Sequence, residues 1–230
     1  MSQRYEIIPT KDGSFTLLDK EYKATFHSLS GAYTESIHVY INSGLRYYLE
    51  NFSKEKNEIY VLEMGLGSGM NVWLTKETIK GFPLCKVFYT VVEKHPLPLE
   101  IAEAFIKKHS HLNNLSVWKN IMHDLLKKGS CKDENMTIKL ITGDILNSLN
   151  TLTLEKYDVI YWDAFGPAQH PDAWTKTVFE KLVPLLRKPC VLTTFCTQGN
   201  FKRMLKNFDF EITKLPGPPG KREILRAEYF

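Results

Sequence analysis

Cysteine is scarce in this chain: 230 residues hold four, Cys85, Cys131, Cys190 and Cys196, and their spacing shows no pairing. This excludes a disulfide scaffold and fits reduced thiols in a cytoplasm. No apolar run approaches the roughly 20 residues that a membrane helix needs. The opening residues, Met1-Ser-Gln-Arg-Tyr-Glu6, lack the hydrophobic core of a signal peptide. The expectation is a cytoplasmic protein with no membrane partner. Internal repeats and low-complexity segments are absent. His109-Ser-His111, with His123 and Cys131 beyond, lacks the spacing of a tetrahedral metal site, so no metal is expected. These two histidines suit a helix end instead. The glycine-rich run at 65–69 is followed by no Gly-Lys-Ser/Thr and lacks the GxGxxG spacing. A phosphate P-loop and the dinucleotide fingerprint are therefore both excluded.

What remains is ordinary in bulk and uneven in detail. A hydrophobic fraction of 43% and a charged fraction of 24% are those of a globular domain. A chain of this length has ample residues for one large core. The net charge is only +4, but residues 181–230 hold ten Lys/Arg against four Asp/Glu. That segment alone is +6 and the rest sums to −2. Such a stretch is either a solvated basic face or an electrostatic footprint for nucleic acid.

Along the chain, residues 5–26 read as a hairpin about the Lys11-Asp12-Gly13 turn. Residues 43–53 read as helix. Strands are expected near 59–64, 86–92, 136–142, 157–162, 189–195, 209–214 and 222–229. Helices are expected near 69–80, 97–109, 112–127, 175–187 and 198–207. The alternation implies an α/β fold, with helices on both faces of a parallel sheet. The last strand follows Pro216-Gly-Pro-Pro-Gly220 with no intervening helix, so it should insert antiparallel. Residues 1–52 read as an extension packed on a main domain spanning 53–230.

Four strand ends carry chemistry. The first strand runs into Glu63-Met-Gly65-Leu-Gly67-Ser-Gly69 and then the helix expected from about 69, which carries Asn71. Glycines let backbone approach a ligand closely, and a helix start offers unpaired N–H groups; the same run also serves as a structural turn. The second strand ends in Glu93, about 20 residues on, where a carboxylate can take both ribose hydroxyls. The third ends in Gly143-Asp144 and the fourth, Tyr157-Asp-Val-Ile-Tyr-Trp162, in Asp163. Each carboxylate alone equally fits a solvated strand end or an N-cap. In order at successive parallel strand ends, they mark the edge where open α/β sheets bind ligands.

The GxGxG spacing, with Glu63 two residues before it, resembles motif I of class I S-adenosylmethionine (SAM) methyltransferases. More of the chain resembles one family: the methyltransferase domain of the bacterial tRNA-modification enzyme MnmC, or its standalone MnmD form. The matching blocks are residues 63–71, Val92-Glu-Lys-His-Pro-Leu97, Trp162-Asp-Ala-Phe-Gly-Pro-Ala-Gln-His-Pro-Asp-Ala-Trp174 and Gly220-Lys-Arg-Glu-Ile-Leu225. Weaker matches are Thr194–Gly199 followed by Lys202-Arg203, and Ser30–Tyr33 with His38–Tyr40. The resemblance implies a class I Rossmann-like sheet, mostly parallel with an antiparallel C-terminal strand, plus an N-terminal hairpin extension. It implies methyl transfer from SAM to the amine of 5-aminomethyl-2-thiouridine at the tRNA wobble position, giving 5-methylaminomethyl-2-thiouridine. The tRNA would be met at its anticodon, after an amine-generating enzyme had acted. The chain is expected to carry the methyl-transfer half alone, since bifunctional members add an FAD domain.

In that reading Glu63, Gly65, Gly67, Gly69, Asn71, Glu93, Asp144 and Asp163 contact the cofactor. Asp163 also orients the amine and accepts its proton, and Phe165 stacks on the uracil. Trp174 packs rather than contacts. Lys202, Arg203, Lys221 and Arg222 meet phosphates. Two rivals share parts of this pattern. An aminopropyltransferase of the spermidine synthase type uses decarboxylated SAM and an Asp after a similar strand. A non-catalytic RNA-binding module would need none of the carboxylates.

Overall fold

The computed structural model describes residues 4–53, 56–152 and 156–230, so the first three residues of the Met1–Glu6 segment lie outside the described residues. Strands β1 (Tyr5–Pro9), β2 (Phe15–Asp19) and β3 (Ala24–Thr25) form a small antiparallel sheet, so the expected hairpin gains a third strand. An unbroken helical stretch follows: α1 (Ala32–Ser36), a π-helical segment (Ile37–Arg46) and α2 (Tyr47–Phe52). It begins 11 residues before the helix expected from 43. Ile37, Val39 and Ile41 are β-branched and weak helix formers, and here burial overrides propensity: Val39 and Ile41 are fully enclosed.

The main sheet takes β4 (Glu58–Met64), β5 (Lys86–Glu93), β6 (Ser130–Lys132), β7 (Met136–Thr142), β8 (Tyr157–Trp162), β9 (Leu186–Thr194), β10 (Phe210–Pro216) and β11 (Glu223–Tyr229). Their spatial order is β10-β11-β9-β8-β4-β5-β7-β6. The strands β7, β5, β4, β8 and β9 run parallel, and β11 inserts antiparallel to both β9 and β10. The short edge strand β6 and the helix α6 (Ile145–Leu149) carry too few residues for a periodic signal and were not expected.

The remaining helices are α3 (Met70–Ile79), α4 (Leu99–Lys108), α5 (Leu115–Lys128), α7 (Lys176–Leu182) and α8 (Gly199–Asn207). They cover both sheet faces, which is why the central strands are hydrophobic throughout rather than alternating. In register, Val61, Val159 and Val191 face the α3–α5 side with the π-helical segment. Leu62, Ile160 and Leu192 face α6–α8.

One buried charge fastens the lower part of this sheet. Asp158 of β8 is fully enclosed, and its Oδ1 accepts from Tyr48 at 2.9 Å and from Lys56 Nζ at 3.0 Å. Its Oδ2 accepts the Tyr60 N–H at 2.8 Å and Arg187 Nη1 at 3.3 Å. It thus joins α2, β4, β8 and β9. Breaking a buried pair costs about 3–5 kcal/mol, and the part-exposed Lys56 and Arg187 point to the low end. Asp158→Ala should therefore lose about 3 kcal/mol in urea unfolding; a loss within experimental scatter would show that these four partners resolvate freely.

Candidate functional site

The parallel strands bring their C-terminal ends to one edge, and backbone hydrogen bonds lock those ends in register. Gly65 donates to the Val92 carbonyl at 2.9 Å, Gly143 to Glu93 at 3.0 Å and Asp163 to Met64 at 3.1 Å. Above them opens a cavity of about 560 Å³, within the range of small-molecule and cofactor sites. Its wall takes residues from the strand ends, from the N-terminal sheet and α1, and from the loop before β11.

Gly65 and Gly67 line this cavity. Gly65 adopts φ +96°, and a Cβ there would lie 2.8 Å from the Asp163 carbonyl oxygen. Only glycine permits that close approach of the turn after β4 to the end of β8. Gly69 sits at the start of α3 against Met122, away from the cavity wall, so it serves packing. Glu93 lines the cavity and also braces the glycine loop. Its Oε2 accepts the Leu66 N–H at 3.0 Å and the Gly67 N–H at 3.3 Å, and its Oε1 accepts the His95 N–H at 2.8 Å.

Asp144 departs from expectation. Its Oδ1 caps α6 through the Leu146 N–H at 3.0 Å, and its Oδ2 lies 3.4 Å from Lys94 Nζ. Its neighbours Gly143 and Ile145 line the cavity in its place. Glu63 departs further, because it is wholly enclosed beneath the cavity floor. Its Oε1 accepts from Asn71 Nδ2 at 2.8 Å and its Oε2 from Tyr89 at 2.9 Å. Burial, then the nearby Asp163 charge, pushes its carboxyl well above the usual range.

Asp163 is half-buried on the cavity floor. Its Oδ1 accepts from Tyr40 at 2.5 Å and its Oδ2 from Asn71 Nδ2 at 2.8 Å. Burial lifts its pKa to about 7; the Tyr40 and Asn71 hydrogen bonds and Lys221 pull it down, and Glu35 pushes it up. Asn71 thus offers one amide nitrogen to two carboxyls. Its Oδ1 is buried with no hydrogen-bond partner among the described residues.

Tyr40 was not singled out as a site residue. It belongs to the π-helical segment, a backbone form that often marks functional positions. Nothing in the local sequence reveals that this turn faces a strand end 123 residues away.

The aromatics form one wall. Phe165 lies 5.0 Å from the Tyr22 ring and 5.4 Å from Phe26, both contributed by the N-terminal extension. Trp174 donates to the Phe165 carbonyl at 2.8 Å and packs on Trp162 and Phe201, a packing role as expected.

The four basic residues separate. Arg203 and Arg222 are exposed and Lys202 is half-buried. Arg203 reaches Asn200. Lys221 turns inward, lines the cavity and pairs with Glu35 of α1. It is therefore not a free surface cation, and it and Arg187, which meets Asp158, are the two cations of the +6 segment paired with acids outside it; Lys214–Glu223 and Arg226–Glu228 pair within the segment. His109 ends α4, accepts the Phe15 N–H at 3.1 Å and is enclosed. Among the described residues no helix is long and apolar enough to cross a membrane.

Sheet order, glycine loop and strand-end carboxylates together define a class I Rossmann-like methyltransferase. Residues 109–229 match the family described as S-adenosyl-L-methionine-dependent methyltransferase, and the chain belongs to it. It is 29% identical over 97% of its length to the "tRNA 5-methylaminomethyl-2-thiouridine biosynthesis bifunctional protein MnmC" of Cupriavidus metallidurans, covering 34% of that protein. To the protein of that name from Burkholderia thailandensis it is 27% identical over 93% of its length, again covering 34%. The chain thus spans about a third of the curated relatives it matches. Among solved structures, MNMC2 from Aquifex aeolicus superposes with a TM-score of 0.80 at 21% identity, over 97% of this chain and 70% of that one. The O-methyltransferase NovP gives 0.53 at 13%, over 88% and 82%. These likenesses carry the fold.

The cavity fits SAM, which bears a sulfonium and an ammonium: its lining includes the acidic acceptors Glu93 and Asp163. Losing hydrogen bonds to a charged group costs about 1.5–3 kcal/mol. Glu93→Ala should therefore weaken SAM binding at least about tenfold by calorimetry. Unchanged affinity in the folded variant would remove Glu93 from the cofactor site.

Proposed function

We propose that this enzyme methylates the exocyclic amine of 5-aminomethyl-2-thiouridine at the wobble position of tRNA, giving 5-methylaminomethyl-2-thiouridine. The observation that carries the reading is Asp163: a half-buried carboxylate, gripped by Tyr40 and Asn71, in the same cavity as the glycine loop. Relatives with a matching name over 93–97% of this chain support the choice of substrate. In this reading residues 1–52 are an extension that completes the substrate end, and 53–230 form the methyltransferase domain. The amine would come from an upstream enzyme acting on the same tRNA in the cytoplasm, and the contact would centre on the anticodon.

SAM supplies an activated methyl group for in-line displacement, so the protein's task is largely positioning. Glu93 and the Gly65–Gly67 backbone hold the cofactor at one end. Asp163 receives the primary amine, which is mostly protonated in water. It orients the nitrogen and takes the proton that must leave before the lone pair can attack. Tyr40 and Asn71 fix the carboxylate from two sides, and Phe165 walls the base. Glu63 acts from beneath, through Asn71.

The first test is incubation with labelled SAM and tRNA from a strain lacking the activity, followed by nucleoside analysis. Label absent from that nucleoside would overturn the assignment. Asp163→Asn should lower the single-turnover rate about 10²-fold while leaving SAM affinity little changed. The wild-type rate should rise with pH and level off above about 7, because the reactive form is the carboxylate. The raised pKa also means that Asp163 favours the fold at low pH and that this contribution is lost as pH rises through about 7. A flat rate profile between pH 6 and 8 would rule out Asp163 as proton acceptor.

Exposed Arg203 and Arg222, with Lys202, are the candidates for phosphate contact. Replacing all three by Ala should flatten the log–log salt dependence of tRNA binding by roughly one unit per lost contact. Identical slopes in filter binding would make this face merely solvated.

A further inference from the structure

Lys221 has a role that its basic neighbours do not share. It projects from the loop between β10 and β11, and its side chain is 26% exposed. Its ammonium pairs with Glu35, whose side chain is 6% exposed. It also lies 4.1 Å from the centre of the Phe195 ring. Glu35 is held in turn, its Oε2 accepting the Ser28 N–H at 2.7 Å. The loop is pressed onto the extension: a Cβ on Gly220 would lie 2.1 Å from Ser30 Oγ, and His38 Nε2 meets the Pro216 carbonyl at 2.7 Å.

Three physical points follow. First, a buried ion pair contributes little net stability, since desolvation offsets the attraction. Packing alone does not account for this one. Second, an ammonium has three donors. Glu35 meets it as an ion pair, and no hydrogen bond from Lys221 Nζ to another group is present among the described residues. Lys221 lines the same cavity as Asp163 and Phe165. Third, Glu35 balances the charge, so the site suits a neutral acceptor such as a carbonyl better than a phosphate dianion or monoanion. Phe195 below offers a flat apolar surface shared with a shallower pocket lined by Thr197 and Arg222.

The geometry points to Lys221, clamped by Glu35 over Phe195, as a specificity-determining residue that donates to a carbonyl on the edge of the target pyrimidine. This rests on the tRNA reading above and assigns a base contact where the sequence suggested a phosphate contact.

The test uses anticodon stem–loop RNA carrying either uridine or an abasic residue at the wobble position. Binding is measured across a salt series. Wild type should prefer the uridine loop. In Lys221→Met that preference should shrink about ten- to a hundredfold, the loss of one hydrogen bond from a charged donor. Its salt slope and SAM affinity should stay as in wild type. Glu35→Gln should shrink the preference in the same direction, because Lys221 is then unclamped. If Lys221→Met fails to fold, Lys221→Arg keeps the ion pair and carries the measurement, with a smaller loss of preference expected because the guanidinium head differs in shape. An unchanged preference in folded variants would overturn the assignment. So would a slope lower by about one unit, which marks a phosphate contact, or weakened SAM binding, which marks a contact to the cofactor's carboxylate. Wild type that binds neither loop, or both equally, would refute the tRNA reading itself.

Discussion

The Asn71 amide holds together two carboxyls that would otherwise repel at the floor of one cavity. Glu63 and Asp163 each lie 2.8 Å from its Nδ2. Two carboxylates sharing a site cannot both ionise readily, so one is driven toward the neutral form. Burial decides which. Glu63 is enclosed and backed by Tyr89, whereas Asp163 faces the cavity and is also served by Tyr40 and Lys221. The neutral partner is therefore the inner one, and the outer carboxyl is left near a pKa of 7. The α3 helix that carries Asn71 begins directly after the glycine loop. The glycine turn that borders the cavity thereby also places the amide that bridges the two carboxyls.

The remaining walls come from the two ends of the chain. The extension supplies Tyr40 to Asp163, Tyr22 and Phe26 to Phe165, and Glu35 to Lys221. The loop before β11 returns the last of these contacts. Both pieces lie outside the alternating βα pattern. A Rossmann-like sheet alone gives a shelf for a cofactor; here the extension and loop convert that shelf into a cavity with a polar floor and aromatic walls.

This division explains what was legible in the sequence. Strand and helix alternation from β4 to α8 followed from periodicity, and the antiparallel insertion of β11 followed from its short connection. Gly65, Gly67, Glu93 and Asp163 stand at or just past strand ends, where local pattern already marks the edge that lines the cavity. Glu63 was misplaced because a residue two positions from a ligand loop in a strand can point either way, and only packing with Tyr89 decides. Asp144 caps α6, a role that the sequence cannot separate from a ligand-facing strand end because both carry the same local signature. Tyr40, Glu35 and the inward turn of Lys221 depend on contacts across 123 to 186 residues. Window-based reading contains no term for such contacts.

The electrostatics of the assembled cavity constrain its chemistry. Glu35 and Lys221 cancel, and Glu63 is held toward neutrality, so Asp163 is left as the variable charge beside Glu93. A fully solvated aspartate would be ionised already, but it would be too weak a base to accept an ammonium proton efficiently at neutral pH. Burial that lifts Asp163 to about 7 narrows that gap, and Tyr40 and Asn71 keep its oxygens aimed while it does so.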